Sequence, residues 1–180
     1  MRSLHGYSGV NALAQNHRKL GVATAAIIVV VDQLLKFFVA HTLQLASRGS
    51  AGIELLPFFN LTWTENKGVS MGFFYAETSV MRWLLVVMTL AIAGFVAWWM
   101  WREKGRDDAF ALSLVLGGAF GNIIDRVRLG YVIDYADFHL GSWRPFLIFN
   151  LADAAITIGV LILLARALLL REKAASKESL

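Results

Sequence analysis

A multi-pass, all-α membrane protein of four transmembrane helices, carrying a small external β-sheet at the membrane interface, is the fold this sequence predicts. Three observations lead there. Of the 180 residues, 57% are hydrophobic and 17% charged, against about 45–50% and about 25% in ordinary globular chains. Long apolar runs recur along the chain, most of them near the ~20 residues that a hydrocarbon core of about 30 Å requires. Six Trp and twelve Phe suit a protein with two membrane–water interfaces to anchor.

The runs follow in order. Met1 to Lys19 is polar and ends in His17-Arg18-Lys19. The apolar run at 20–40 is too long for a signal-peptide core and has no small-residue cleavage site near its end, so it is a retained first helix. Further helices are expected at 80–101, 109–124 and 149–170. The third run spans only about 24 Å at about 1.5 Å per residue, which places its polar end within the membrane or at its lip. Residues 171–180 form a basic tail rich in Lys, Glu and Ser, expected to be disordered. The whole of 1–180 is one membrane domain.

Lys and Arg set the orientation. Arg2, Arg18, Lys19, Arg102, Lys104, Arg106, Arg166, Arg171, Lys173 and Lys177 crowd short segments on one side. That side is cytoplasmic by the positive-inside rule, so both termini face the cytoplasm. Arg48, Lys67, Arg82, Arg126, Arg128 and Arg144 then fall on the outside, in or near two loops at 41–79 and 125–148. Arg126 and Arg128, beside an external helix end, do not serve insertion and hint at another job. In the first loop, Phe59 to Thr64 alternates apolar and polar, Asn66-Lys67-Gly68 interrupts, and Val69 to Phe74 resumes. That pattern predicts a β-hairpin with a Gly-containing turn.

The chain has no cysteine, which removes thiol nucleophiles, disulfides, Fe–S clusters and thiolate zinc sites. No HExxH, Gly-rich phosphate loop or GxSxG occurs, and His5, His17, His41 and His139 are too scattered for a ligand cluster. The net charge of +4 serves topology rather than nucleic acid. Chemistry therefore falls to carboxylates in apolar surroundings, which in membrane helices are functional hypotheses from the outset. Asp32 and Lys36 are spaced i, i+4 and can pair, with Gln33 beside them, as a plain tie between helices. Asn150 and Asp153 are spaced i, i+3 at the start of the fourth helix, where an Asp can simply cap backbone N–H groups. Asp134 lies 19 residues before Asp153 in a loop that must return to the same helix. Two close carboxylates in low dielectric share one proton, and such a pair can activate water and protonate a leaving amine. A proton- or ion-coupled transporter relaying through Asp32, Asp125 and Asp153, and a scaffold in which these charges only join helices, remain open on residues alone.

Five motifs in order narrow the choice: VDQLLK at Val31 to Lys36, ENKGVSMGFF at Glu65 to Phe74, GGAFGNIIDR at Gly117 to Arg126, GYVIDY at Gly130 to Tyr135 and FNLADAAI at Phe149 to Ile156. With the four-helix layout, the chain resembles the bacterial lipoprotein signal peptidases, signal peptidase II. The resemblance implies a membrane aspartic endopeptidase of the bacterial inner membrane, cleaving signal peptides from diacylglyceryl-modified prolipoproteins just before the lipidated cysteine. It places the catalytic pair at Asp134 and Asp153. It makes Asp32, Lys36, Asn66, Gly68, Asn122, Asp125, Arg126 and Asn150 lining or bracing residues, with Arg126 a donor to substrate carbonyls. No metal or other cofactor is implied. The implied partners are the lipid-modified substrate and membrane lipids, for a monomer with no nucleic acid. Tyr135 where Phe is usual, Lys67 between the Asn and Gly of the loop motif, and Met71 where an aromatic is common depart from the family pattern.

Overall fold

The computed structural model describes residues 5–68 and 79–178. Helix α1 (His5–Phe37) runs into a π-helical turn at Phe38–Thr42, a 3₁₀ segment at Leu45–Ala51, and strands β1 (Ile53–Leu56) and β2 (Phe59–Asn66). Then come α2 (Ser79–Arg102), α3 (Arg106–Arg128), β3 (Val132–Phe138) and α4 (Leu151–Glu178). Four segments are long and apolar enough to cross a membrane: His17–Thr42, Ser79–Arg102, Arg106–Arg128 and Leu151–Leu169.

Helix α3 is the hub, packing against α1, α2 and α4. Protein buries 61% of its apolar window, against 17–22% in the other three, whose outer faces are left for lipid. Small residues allow this approach, as close backbone packing in membranes demands. A Cβ on Gly118 would stand 2.3 Å from the Ala152 carbonyl oxygen of α4, and one on Gly121 would stand 2.6 Å from Asp32 Oδ2 of α1. The second contact matters most, because it brings a buried carboxyl side chain against the α3 backbone.

Three helices differ from expectation, the first of them, expected over 20–40, beginning already at His5 and ending as α-helix at Phe37. The third helix, expected over 109–124, occupies Arg106–Arg128, or 23 residues. Its start gains Asp107 and Asp108 in the first turn, where negative charge suits the helix dipole, and both carboxylates are held by Arg166. At its far end Asp125 is buried and fully bonded, so charge there marks a site rather than a helix end. The fourth helix continues to Glu178, past the boundary expected at 170, because Arg171-Glu172-Lys173-Ala174-Ala175 is a run of strong helix formers.

Among the described residues β2 has two partners that its alternating pattern did not announce. Strand β2 pairs antiparallel with β1 on one edge, Ile53 opposite Leu61, and with β3 on the other, Thr64 opposite Asp134 and Asn66 opposite Val132. On the β1 side the pairing covers Phe59–Leu61, and β1 is reached through a turn at Pro57-Phe58. The expected partner, Val69 to Phe74, lies outside the described residues, as does Met71. Under the sheet, Val39, Leu45, Ile133, Tyr135 and Ala136 form one apolar cluster. A second, including Ala25, Ala93, Val96, Leu112 and Leu116, lies among α1, α2 and α3. Asp32, Lys36, Asn122, Asp125, Asp134 and Asn150 of the motifs are buried polar residues.

Candidate active site

The start of α4 organises this region. The first N–H groups of any helix lack intrahelical acceptors, and here each meets a partner from a different part of the chain. Asn150 is the cap: its Oδ1 accepts from the Asp153 N–H at 3.0 Å, while Asp153 Oδ2 accepts from the Asn150 N–H at 3.2 Å. This is a reciprocal capping box. The Ala152 N–H donates to Asp32 Oδ1 of α1 at 3.1 Å, and the Tyr135 hydroxyl interacts with the backbone of Leu151. Tyr135 is thus the polar exception within the apolar cluster, and burial pushes its hydroxyl up to about 12.

With its oxygen committed to that cap, Asn150 turns its amide nitrogen toward Asp134 Oδ1 at 2.6 Å and Asn122 Oδ1 at 3.2 Å. Asn122 is oriented the same way. Its oxygen also accepts from Lys36 Nζ at 3.1 Å, so its nitrogen faces Asp153 Oδ1 at 2.8 Å. The third amide, Asn66, takes the Gly68 N–H on its oxygen at 3.2 Å and donates to Asp134 Oδ2 at 3.0 Å. Gly68 makes that tight turn at φ 141°, a backbone conformation open to glycine. Each amide is assigned from its network rather than from its own atoms, and the three assignments agree with one another.

Beneath lies an ionic layer. Lys36 Nζ sits 2.8 Å from both Asp32 Oδ2 and Asp125 Oδ2, and all three residues are at most 2% exposed. Asp125 reaches onward, accepting from the Ile133 N–H at 3.2 Å and from Gln33 Nε2 at 2.9 Å. Arg128 Nη1 holds the Gln33 oxygen at 3.3 Å. Sequence reasoning placed Gln33 beside the pair as part of a tie between helices, without its partner, and gave no role to the Tyr135 hydroxyl. Neither was legible, because their partners lie 92 and 16 positions away. Arg126, on the last turn of α3, is half-buried and lies within electrostatic reach of Asp153, Asp134 and Asp125. Its buried Nε has no hydrogen-bond partner among the described residues.

All ten residues singled out from the motifs therefore meet in one region. Asp134 and Asp153 are joined through Asn150, with no direct hydrogen bond between their carboxylates among the described residues. Burial, and next the charge of Asp153, push Asp134 up from 3.8 to about 6, against the opposing pull of Asn66, Asn150 and Lys36. A raised folded-state value means that the native protein binds the proton more tightly than the unfolded chain. This contribution is present at low pH and is lost as pH rises through the window from 3.8 to about 6. On lowering the pH from 7 to 4, wild type is expected to gain roughly 2 kcal/mol relative to Asp134→Asn. Thermal unfolding of both proteins in detergent across that range measures it, and parallel pH profiles would refute the assignment.

Two carboxylates linked through one amide, one of them poised to hold a proton, are what the acid–base chemistry of an aspartic peptidase calls for. The family model described as Signal peptidase (SPase) II matches residues 24–169, and the chain belongs to that family. Among curated relatives, the lipoprotein signal peptidase of Rhizorhabdus wittichii is 56% identical over 156 residues, covering 87% of this chain and 90% of that one. That of Sphingopyxis alaskensis is 53% identical over 161 residues, covering 89% and 92%. A solved bacterial membrane enzyme, determined by the in meso method, superimposes with a TM-score of 0.72 at 29% identity, covering 83% of this chain and 93% of that one.

Proposed function

We infer that this membrane aspartic peptidase removes signal peptides from prolipoproteins, with Asp134 and Asp153 as its acid–base pair. The observation that carries the assignment is Asn150, whose amide donates to Asp134 while its oxygen and backbone N–H engage Asp153. The bridge holds two carboxylates from separate elements at the mouth of the bundle. Asp153 sits at the N-terminus of α4, where negative charge is favoured, and suits the base. Asp134, pushed up to about 6, suits the proton donor.

In the cycle, Asp153 takes a proton from water as its oxygen attacks the scissile carbonyl carbon, and Asp134 gives its proton to the carbonyl oxygen. As the gem-diol collapses, the C–N bond breaks and the leaving nitrogen takes the proton from Asp153. Asp134 recovers its proton from the diol hydroxyl. The cycle closes with one water consumed and both carboxyls restored. Arg126, its Nε without a hydrogen-bond partner among the described residues, donates to substrate backbone carbonyls. Asp32, Lys36, Asn122, Asp125 and Gln33 hold these groups in place, and the turn at Gly68 aims Asn66.

The finer reading follows from family membership and from where the pair lies. Cleavage falls before a cysteine carrying a diacylglyceryl thioether, whose acyl chains keep the scissile bond near the head groups. Both termini are cytoplasmic, the active site opens to the external face of the inner membrane, and one copy in bilayer lipid suffices. The transporter alternative has no support from the relatives. The test uses purified protein in lipid nanodiscs with a synthetic prolipoprotein peptide, in lipidated and unmodified forms. The expected product is a single cut immediately before the lipidated cysteine, at least ~100-fold faster than for the unmodified peptide if membrane-restricted encounter contributes as effective concentration. Equal rates for both forms, or a cut elsewhere, would sink the reading.

A further inference from the structure

Arg82 is the fourth residue of α2, and neither the topology nor its own helix accounts for it. It lies at the end of α2 assigned to the outside, where the positive-inside rule gives a cation no role. Near a helix N-terminus its charge also opposes the α2 dipole. Its side chain instead crosses to α3. Arg82 Nε donates to the Arg126 carbonyl oxygen at 2.8 Å, and Arg82 Nη2 donates to the Val127 carbonyl. The Arg126 carbonyl also accepts the Gly130 N–H at 3.2 Å, so Arg82 is a second donor to it at the end of α3, and a cation there suits that helix's dipole. The chain then leaves through Gly130 at φ 89°, where a Cβ would come within 3.5 Å of Arg82 Nη1. The guanidinium also packs on the Trp83 ring, 5.5 Å from its centroid. It is thus held from the ring side and the carbonyl side at once.

The residue whose carbonyl it grips is Arg126. That side chain makes no ion pair among the described residues, and its buried Nε lacks a hydrogen-bond partner among them, so its aim is set by its backbone and by the field of Asp153, Asp134 and Asp125. We propose that Arg82 is a positioning residue of the peptidase: by clamping the Arg126 and Val127 carbonyls it locks the last turn of α3, so that the Arg126 guanidinium is presented to the substrate backbone. The inference rests on the reading of Arg126 as a substrate donor and extends it to a residue in a different helix, outside all five motifs.

A double-mutant cycle with Arg82→Gln and Arg126→Gln, read as kcat and KM separately, tests it. A donor that binds substrate and transition state alike moves KM and leaves kcat. Arg82→Gln is expected to raise KM about tenfold with kcat changed less than about twofold. Arg82→Lys, which keeps the charge but cannot span two carbonyls, is expected to raise KM about threefold. It also serves if the Gln variant fails to fold. Once Arg126 is Gln, removing Arg82 is expected to change KM by less than about twofold. If the two losses multiply instead, Arg82 acts elsewhere and the clamp is refuted, while the role of Arg126 stands. If Arg126→Gln itself leaves KM unchanged, the reading of Arg126 fails and the clamp falls with it.

Discussion

Asp134→Asn and Asp153→Asn are each expected to lower kcat by roughly a thousandfold or more while the protein still folds. General acid–base catalysis contributes about 10²–10⁴, and groups acting as a unit lose nearly the whole effect when either is removed. Folding survives because Asn at 153 keeps one oxygen for the capping box and Asn at 134 keeps one for Asn66 or Asn150. Each variant turns one amide NH₂ toward a donor, a penalty of about 1–3 kcal/mol. Asp125→Asn is the informative control, since Asp125 stands in the most conspicuous motif of the chain. Its Oδ2 receives Lys36 Nζ and the Ile133 N–H, and its Oδ1 receives the Gln33 amide. An Asn there can keep its oxygen toward Lys36 and Ile133 while the Gln33 amide rotates. Activity is then expected to fall by about tenfold through a loosened last turn of α3, far less than for either member of the pair. Prolipoprotein processing by the three purified variants, with thermal unfolding as the folding check, ranks them. Near wild-type turnover by either Asp134→Asn or Asp153→Asn would end the dyad assignment.

That ranking could be framed from sequence because the motifs are local and the helices announce themselves by hydropathy. Four apolar runs became four helices, and the shift from 109–124 to Arg106–Arg128 arose because charge was read as a boundary. Asp125 and Arg126 are compatible with helix, and the polarity of Asp125 reports buried partners, Lys36 and the Ile133 N–H, rather than a helix end. What stayed hidden was pairing across the chain. The four residues of β1 give almost no periodic signal, and nothing local says that β2 spends its second edge on β3. The pairing that places Asn66 beside Asp134 depends on that sheet. The direction of each amide was equally out of reach, because Asn150 is oriented by Asp153 on one side and Asp134 on the other. Arg82 was counted among external cations, and its two acceptors are carbonyls, which carry no sequence identity at all.

Lys36→Met is expected to be the most destabilising single change in the site region. Lys36 lies between Asp32 and Asp125, 2.8 Å from each, in a layer that water barely reaches. An intact buried ion group is weak evidence for stability, since desolvation offsets its attraction, but removing one partner typically costs about 3–5 kcal/mol. Here the cost falls on two carboxylates that are left facing each other. Asp32 Oδ1 caps the Ala152 N–H at the start of α4, and Asp125 Oδ2 takes the Ile133 N–H at the start of β3. Asp153 follows Ala152, and Asp134 follows Ile133. Repulsion between the two buried carboxylates is therefore passed directly to the two strands of backbone that present the acid–base pair. Activity should fall further than the folded fraction does, at a temperature where Lys36→Met is still mostly native. Adding Asp125→Asn to Lys36→Met removes one of the two charges, so the double variant is expected to be more stable than Lys36→Met alone, a non-additivity of at least about 1 kcal/mol. Tryptophan-monitored unfolding in detergent, paired with processing rates, separates the possibilities. If Lys36→Met unfolds at the wild-type temperature, or if the second substitution only adds to the damage, the lysine does not hold the two carboxylates together, and the support of the dyad must come from the Asn122–Asn150 amides alone.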